Sequence, residues 1–187
     1  MSVRREALGM RVTRMQAEAN RQRIIDSAMR LFGQRGVDAV GVAEVMGDAG
    51  FTHGGFYNHF RSKEELVIEA CSTSFAQAMS SLRDDALPQR AQDADFGACL
   101  SAAMLCESAK GNGPLGATYA KGISAFIDVL TGQYGDRDRA AAALACLVGA
   151  RVLSRAVELA DRELADDFGE VTVGRGAKPA AGPQAMC

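Results

Sequence analysis

The sequence contains no tryptophan, only four prolines and two histidines, and its aromatic residues make up 6% of the chain. The rarity of proline and the scarcity of β-branched runs, together with abundant alanine, favour helices over a β-rich fold. The two histidines, His53 and His59, lie far along the chain from every cysteine, and no cysteine pair has the CxxC spacing of a zinc site. We therefore expect an all-α protein without a metal or a cofactor.

The five cysteines are an odd number, and no signal peptide precedes them. Both features favour reduced thiols in a cytosol over a disulfide-linked secreted protein. No apolar stretch approaches the roughly 20 uncharged residues that a membrane span needs. We therefore expect no membrane association.

Charge is distributed unevenly along the chain. Residues 1–63 hold 10 Lys and Arg against 6 Asp and Glu, whereas residues 64–187 hold 11 against 17. A basic first third attached to an acidic remainder indicates a polyanionic partner for one end only, although a chance fluctuation of charge would look the same.

Four segments follow from composition and periodicity. Residues 1–16 are rich in arginine without apolar periodicity, which predicts a basic disordered arm. Residues 17–63 carry the helical repeats and turn signals of a small domain, and residues 64–169 have the patterns of a helical bundle. The Gly- and Pro-containing residues 170–187 predict a disordered tail.

The stretch GFTHGGFYNHFRSKEEL, residues 50–66, is the most informative part of the sequence. A short helix before Gly50 and a second one after it form a helix-turn-helix pattern, whose second helix enters the major groove of DNA. Gly54 and Gly55 would each cost about 1 kcal/mol in a helix, but they let the backbone come close to the duplex. Ser62 and Glu65 form a capping box at the start of the next, longer helix.

The chemistry of this stretch predicts the DNA contacts. Hydroxyl and imidazole groups can donate to phosphate oxygens, an asparagine amide can pair with an adenine edge, and a helix start with a lysine is a phosphate site. Both histidines could instead be plain surface residues. The candidate DNA-binding residues are Arg21, Thr52, His53, Gly54, Gly55, Tyr57, Asn58, His59 and Lys63.

At this point a resemblance is plain. The segments IIDSAMRLFGQRGVDAVGVAEVMGDAG and FTHGGFYNHFRSKEELV, between residues 24 and 67, resemble the DNA-binding domain of the tetracycline-repressor (TetR) family. The resemblance covers about a quarter of the chain closely. It implies a three-helix DNA-binding domain joined to a bundle that binds a ligand and dimerises. It also implies a homodimeric repressor that leaves a palindromic operator when a small molecule binds.

The effector pocket implied by this resemblance would lie between the helices of the bundle. The expected lining suggests an apolar or aromatic ligand, although residues at such spacing are more often core. The candidates are Phe75, Met79, Met104, Cys106, Tyr119, Ile123 and Phe126. Cys106 lies one turn from Lys110, which leaves open a sensor of electrophiles or oxidants through that thiol.

The alanine-rich helix over residues 136–160 is expected to form the dimer interface, because its small residues allow close approach to the same helix of a second subunit. The expected interface residues are Leu144, Leu147, Val148, Arg151, Val152 and Arg155. Two other classes of protein remain as alternatives. One is a DNA-binding helical protein without an effector. The other is an enzyme on a helical bundle, which no nucleophile, metal or phosphate-loop motif supports.

Overall fold

The computed structural model describes residues 2–83, 109 and 113–170, and every regular element among these residues is a helix. The all-α prediction is therefore confirmed for this part of the chain. The elements in order are α1 (Ser2–Arg35), α2 (Val42–Asp48), a 3-10 helix (His53–Asn58), α3 (Lys63–Arg83), α4 (Pro114–Tyr134), α5 (Arg137–Val157) and α6 (Arg162–Glu170).

Helix α1 packs its second half into the core and ends where the sequence predicts. Ile24, Ala28 and Phe32 are fully buried on one face, which is the apolar stripe of an amphipathic helix. Gly36 closes the helix with a φ of 86°, and its N–H donates to the Phe32 carbonyl over 2.9 Å. The start differs from the expected disordered arm over residues 1–16, because the helix already begins at Ser2.

The turn between α2 and the 3-10 helix depends on Gly50, which has a φ of 78°. That left-handed conformation favours glycine. The N–H of Phe51 donates back to the Met46 carbonyl over 2.8 Å. This closes the end of α2 and sends the chain into the 3-10 helix at an angle. We call α1 from Arg21 onward, α2, the 3-10 helix and the first two turns of α3 the head.

Helix α3 begins with the predicted capping box. The Ser62 hydroxyl accepts from the N–H of Glu65 over 3.2 Å, and the Glu65 carboxylate accepts from the N–H of Arg61 over 2.7 Å. Two backbone donors at the helix start are thereby satisfied. Leu66 and Val67 are buried against the head, so α3 leaves the head in a fixed direction.

The rest of α3 packs against α4, α4 packs against α5, and α5 packs against α6. We call these helices, with α3 from Cys71 onward, the bundle. Gly135, with a φ of 82°, ends α4, and the carboxylate of Asp136 caps α5 by accepting from the N–H of Arg139 over 2.9 Å. The buried side chains of the bundle are mainly Phe75, Tyr119, Phe126, Leu130, Ala140 and Leu144.

Helix α5 is long and apolar enough to cross a membrane by length and composition, since an 18-residue stretch within it has a mean hydropathy of 1.6. This differs from the expectation that no segment approaches that limit. Alanine and leucine raise the value. The helix also carries Arg137, Arg139 and Arg155, and it packs between α4 and α6.

Some expectations lie outside the described residues. They concern residues 84–108 and 110–112 of the expected bundle and the tail after Glu170. The side chains of Leu147 and Arg151 on α5 also lie outside the described set.

Candidate nucleic-acid interface

Two phenylalanines anchor the 3-10 helix to the head. The side chains of Phe56 and Phe60 are each 1% exposed, and their rings stack with centroids 5.5 Å apart. Burial of two such rings contributes several kcal/mol to the head. The inner face of the helix is thus fixed by packing, and its outer face is left for another role.

The outer face carries polar and aromatic side chains that do not contribute to the core. Thr52, His53 and Asn58 are exposed, and Tyr57 is 67% exposed. The Tyr57 ring meets the edges of Phe56 and His53 at centroid distances of 5.4 and 6.4 Å. The ring is therefore held upright at the surface with its phenolic hydroxyl toward solvent. These four predicted contact residues lie together on one surface.

Gly54 and Gly55 lie on the same surface, and the fold itself does not require glycine there. Neither has a positive φ. A Cβ atom added at Gly54 would have no neighbour within 4 Å, and one added at Gly55 would meet the Met46 Cε at an ordinary 3.6 Å. Glycine lowers helix stability at both positions without a compensating contact inside the protein. Packing within the head therefore gives no reason for glycine at either position.

Arg21 has a different place from the one expected. Its guanidinium donates to the His59 carbonyl over 2.7 Å and to Glu69 over 2.5 Å, and it lies 4.1 Å from the centroid of the Phe60 ring. Its charge is thus used inside the head, between α1, the end of the 3-10 helix and α3. In this structure Arg21 therefore acts as a positioning residue within the head, and its direct contact with DNA stays a prediction.

Lys63 is likewise engaged within the head. Its Nζ donates to the Val37 carbonyl over 2.6 Å, so in this structure the ammonium ties the start of α3 to the segment after α1. His59 is half-buried, and its N–H donates to the Phe56 carbonyl over 2.9 Å. Arg61, which the sequence argument did not select, is exposed beside the start of α3. Its place directly before the Ser62 cap could have identified it from the sequence as a cation near the start of a helix.

A second arginine on α1 holds the turn. Arg23 donates to the Ala49 carbonyl over 2.8 Å and lies 4.8 Å from the centroid of the Phe51 ring. Arg30 forms an ion pair with Asp48 at the end of α2. The hydrogen bonds from Arg30 and from Ser27 hold the pKa of the Asp48 carboxyl below its ordinary value, and burial opposes this only weakly. The helix-turn-helix unit is thus fixed to α1 from both sides of Gly50.

The expected pocket residues that the structure describes form a packed interface between α3 and α4. Phe75 and Tyr119 meet edge to face at 5.4 Å, Phe126 is fully buried, and Met79 and Ile123 pack against the same core. A Cβ at Gly122 would lie 2.3 Å from the Phe75 ring, so that ring lies directly on the α4 backbone. Met104 and Cys106 lie outside the described residues.

A cavity of about 370 Å³ lies elsewhere, at the junction of head and bundle. None of the expected pocket residues that the structure describes lines it. Its lining combines apolar and charged groups: Val37, Asp38, Lys63, Glu64, Val67, Gly113, Leu115 and Gly116. Among the residues that the structure describes, no three His, Cys, Asp or Glu side chains gather as a metal site.

Two of the expected dimer residues are used within the chain. Leu144 is 4% exposed and belongs to the core, so burial removes it from a surface role. Arg155 donates to the Gln34 carbonyl over 2.5 Å, which ties α5 to the end of α1. Val148 and Val152 are half-buried. Among the described side chains, the large apolar ones that α5, α6 and their connection expose are instead Leu153, Leu159 and Leu164.

Comparison with known proteins agrees with this geometry. Residues 24–70 match the family model described as bacterial regulatory proteins, tetR family. The HTH-type transcriptional regulator AcrR of Shigella flexneri is 42% identical over 59 residues, which are 32% of this chain and 27% of that protein. The uncharacterized HTH-type transcriptional regulator YerO of Bacillus subtilis is 34% identical over 64 residues, 34% of this chain and 22% of that protein. The chain thus matches about a quarter of the length of these curated relatives.

Solved structures extend the likeness to the bundle. The reduced form of E. coli NemR has a TM-score of 0.63 at 19% identity, and the match covers 82% of this chain and 95% of that one. A tetR-family transcriptional regulator from Streptomyces coelicolor has a TM-score of 0.62 at 18% identity, covering 83% and 78%. At these identities the likeness shows that the helical head and bundle share one fold with these proteins.

Proposed function

We propose that this chain, whose residues 24–70 belong to the TetR family of bacterial regulatory proteins, is a homodimeric repressor that binds a palindromic operator and is released by a small molecule. It acts in the bacterial cytoplasm, where it meets duplex DNA directly. Its role is binding rather than catalysis, and it needs no cofactor.

One observation carries the DNA-binding part of this proposal. The outer face of the 3-10 helix has exposed donors, Tyr57 and His53, beside two glycines that no contact within the chain explains. A thin helix edge flanked by donors suits the approach of a backbone to base pairs with side chains reaching the phosphates on either side. The basic balance of residues 1–63 favours the same partner.

The dimer part rests on the exposed apolar residues of α5 and α6. Leu153 and Leu164 are 48% and 41% exposed, and Leu159 in the connection is fully exposed. Exposed leucines on the last two described helices and their connection fit a symmetric contact with a second copy. The two heads of the dimer would then face the same side of the DNA. They could bind together to two half-sites that are one helical turn, about 34–36 Å, apart.

The release mechanism follows from the course of α3. Its first turns pack in the head through Leu66, and its later part packs on α4 through Phe75. Any ligand that separates α3 from α4 therefore also moves the head. A ligand that binds better to a dimer with the wrong head spacing lowers operator affinity by population shift. The aromatic surroundings of Phe75 and Tyr119 favour an apolar or aromatic effector.

The experiment that tests the function is selection of bound duplexes from random-sequence DNA, followed by fluorescence anisotropy at 50–200 mM salt. We expect a palindromic sequence bound with nanomolar affinity and a dimer by light scattering. Replacing Leu153 and Leu164 with glutamate should give a monomer that binds DNA weakly. A monomeric wild-type protein that binds no duplex even at 50 mM salt would refute the proposal.

Effector control is tested separately by a thermal-shift screen of apolar and aromatic compounds. A ligand at one hundred times its dissociation constant adds about 2.7 kcal/mol of stability. A compound that raises the melting temperature should also lower operator affinity. Ligands that stabilise the protein but leave operator affinity unchanged at saturation would contradict the release mechanism.

A further inference from the structure

Helix α1 extends far beyond the head that it supports. From Ile24 onward it contributes buried side chains to the core, whereas the side chains of residues 13–19 are all exposed. The helix nonetheless continues to Ser2. At 1.5 Å per residue, the part from residue 2 to residue 20 has a length of about 28 Å. We call this part the extension.

Two contacts fix the direction in which the extension leaves the head. At the C-terminal end of α1, the Gln34 carbonyl accepts from Arg155 of α5, so that end lies at the bundle. About four turns earlier, Arg21 donates to the carbonyl of His59, directly after the 3-10 helix. The extension therefore leaves on the side of the 3-10 helix and away from the bundle.

The sequence of the extension is basic. Between Ser2 and Asn20 there are four arginines against two acidic residues, Glu6 and Glu18, which gives the extension a net charge of +2. Viewed down the helix axis, one arc of about 100° contains the arginine positions 4, 11 and 14 together with position 21. Position 21 is the one that faces the 3-10 helix through its bond to His59. The basic positions thus continue along the face of α1 that the head uses.

We propose that the extension lies along the phosphate backbone that flanks each operator half-site and forms an additional, sequence-independent DNA contact. This inference rests on the proposed function, since it presupposes that the 3-10 helix occupies the major groove. An isolated, solvated helix of this length is only marginally stable by its own hydrogen bonds. The negatively charged phosphates of DNA would give its arginines a partner of opposite charge. Its length corresponds to about eight base pairs beyond the half-site.

The test compares two triple variants of the full chain that remove the same charge. One replaces Arg4, Arg11 and Arg14 with glutamine. The control replaces Lys121, Arg139 and Arg162, which are exposed cations of the bundle, also with glutamine. Anisotropy is measured between 50 and 300 mM salt on the duplex that the wild-type chain selects from random DNA, with ten or with no base pairs flanking the half-sites.

Each lost phosphate contact lowers the slope of log affinity against log salt by about 0.9. Loss of one to three contacts in each subunit of a dimer should therefore reduce the slope by about 2 to 5 for the extension variant, with the control unchanged. Trimming the flanks should weaken wild-type binding at least tenfold and leave the extension variant unaffected. Replacing Arg4, Arg11 and Arg14 with lysine instead of glutamine should keep the wild-type salt slope.

The outcomes separate this inference from the proposed function. If the wild type binds no duplex at 50 mM salt, the proposed function itself is refuted. If the wild type binds, and the extension variant has the same salt slope and the same dependence on flanking base pairs as the wild type, only this inference fails. If the extension variant loses binding to phosphatidylglycerol vesicles that the wild type shows, while its salt slope on DNA is unchanged, the extension binds a membrane surface. That result would also overturn this inference.

Discussion

The guanidinium of Arg21 on α1 donates to the main-chain carbonyl of His59, the residue that ends the 3-10 helix, over 2.7 Å. The same group binds Glu69 on α3 and covers the Phe60 ring. One side chain therefore joins three elements of the head at the edge of the candidate DNA surface.

Replacing Arg21 with glutamine should lower the free energy of unfolding by about 1–3 kcal/mol, because a charge-assisted hydrogen bond and its partners are lost. Operator affinity should fall about tenfold because the 3-10 helix is held less firmly. The salt slope of binding should stay the same, since the guanidinium of Arg21 is bound to His59 and Glu69 within the head. A salt slope that is smaller by about 2 for the Arg21→Gln dimer would instead support the direct phosphate contact that the sequence suggested.

Gly54→Leu should fold normally, because a side chain at this position meets no atom within 4 Å, and helix propensity even favours the change by somewhat less than 1 kcal/mol. Operator affinity should fall at least a hundredfold, since the leucine would lie between the helix and the bases. Urea unfolding and anisotropy measure the two effects. Gly47→Leu is the matched control, because it also enters open space but lies on α2. Tight binding by a folded Gly54→Leu protein would contradict the proposed contact.

Tyr57→Phe removes one hydroxyl from a ring that is 67% exposed. Stability should change by less than about 0.5 kcal/mol. Affinity should fall by roughly ten- to a hundredfold for each subunit, because a hydrogen bond to a charged phosphate contributes about 1.5–3 kcal/mol. Phe56→Ala, one residue earlier but buried, should instead destabilise the protein by about 3–5 kcal/mol. An affinity equal to that of the wild type would remove Tyr57 from the interface.

The pKa of Asp48 is lowered in the folded protein by hydrogen bonds from Arg30 and Ser27. Its contribution to stability is therefore present above the unfolded pKa of about 3.9 and is lost as the pH falls through the lower folded value. Asp48→Asn should cost at most about 1 kcal/mol at pH 7, since the ion pair is partly exposed and screened. Urea unfolding from pH 7 to pH 3 should show the two proteins converging below pH 4. A difference that is constant over this range would refute the linkage.

Gly122→Ala should destabilise the bundle by about 1–3 kcal/mol, because its Cβ would lie 2.3 Å from the Phe75 ring. Gly132→Ala on the same helix has open space around it and should stabilise by up to about 1 kcal/mol. Phe75→Leu should reduce the cost of Gly122→Ala in a double-mutant cycle. Equal effects of the two alanine substitutions in the wild-type background would show that the ring moves aside freely.

Much of the head followed from local sequence. The apolar stripe of Ile24, Ala28 and Phe32, the glycine at position 50 and the Ser62–Glu65 box each act within one or two helical turns. Short-range rules therefore identify them without knowledge of the rest of the chain. Tyr57 was selected from this stretch for a contact outside the chain, and its side chain is exposed.

The partners of long side chains did not follow from the sequence. Arg21 and Arg155 were expected at surfaces, yet they bind carbonyls 38 and 121 residues away. Leu144 was expected at a dimer contact and is buried instead. Nothing in the local sequence distinguishes an arginine that reaches a phosphate from one that reaches a main-chain oxygen. Such a choice depends on which elements the fold brings within about 6 Å.

The sequence by itself determined that the described chain is helical, where the helix-turn-helix lies and which residues of the 3-10 helix face outward, because helix periodicity and capping are local properties. Only the tertiary structure decided that Arg21, Arg23 and Lys63 hold the head together and that Phe75 lies against the backbone of Gly122. It also decided that α1 extends past the candidate DNA surface, since direction and burial arise only when distant segments pack against each other.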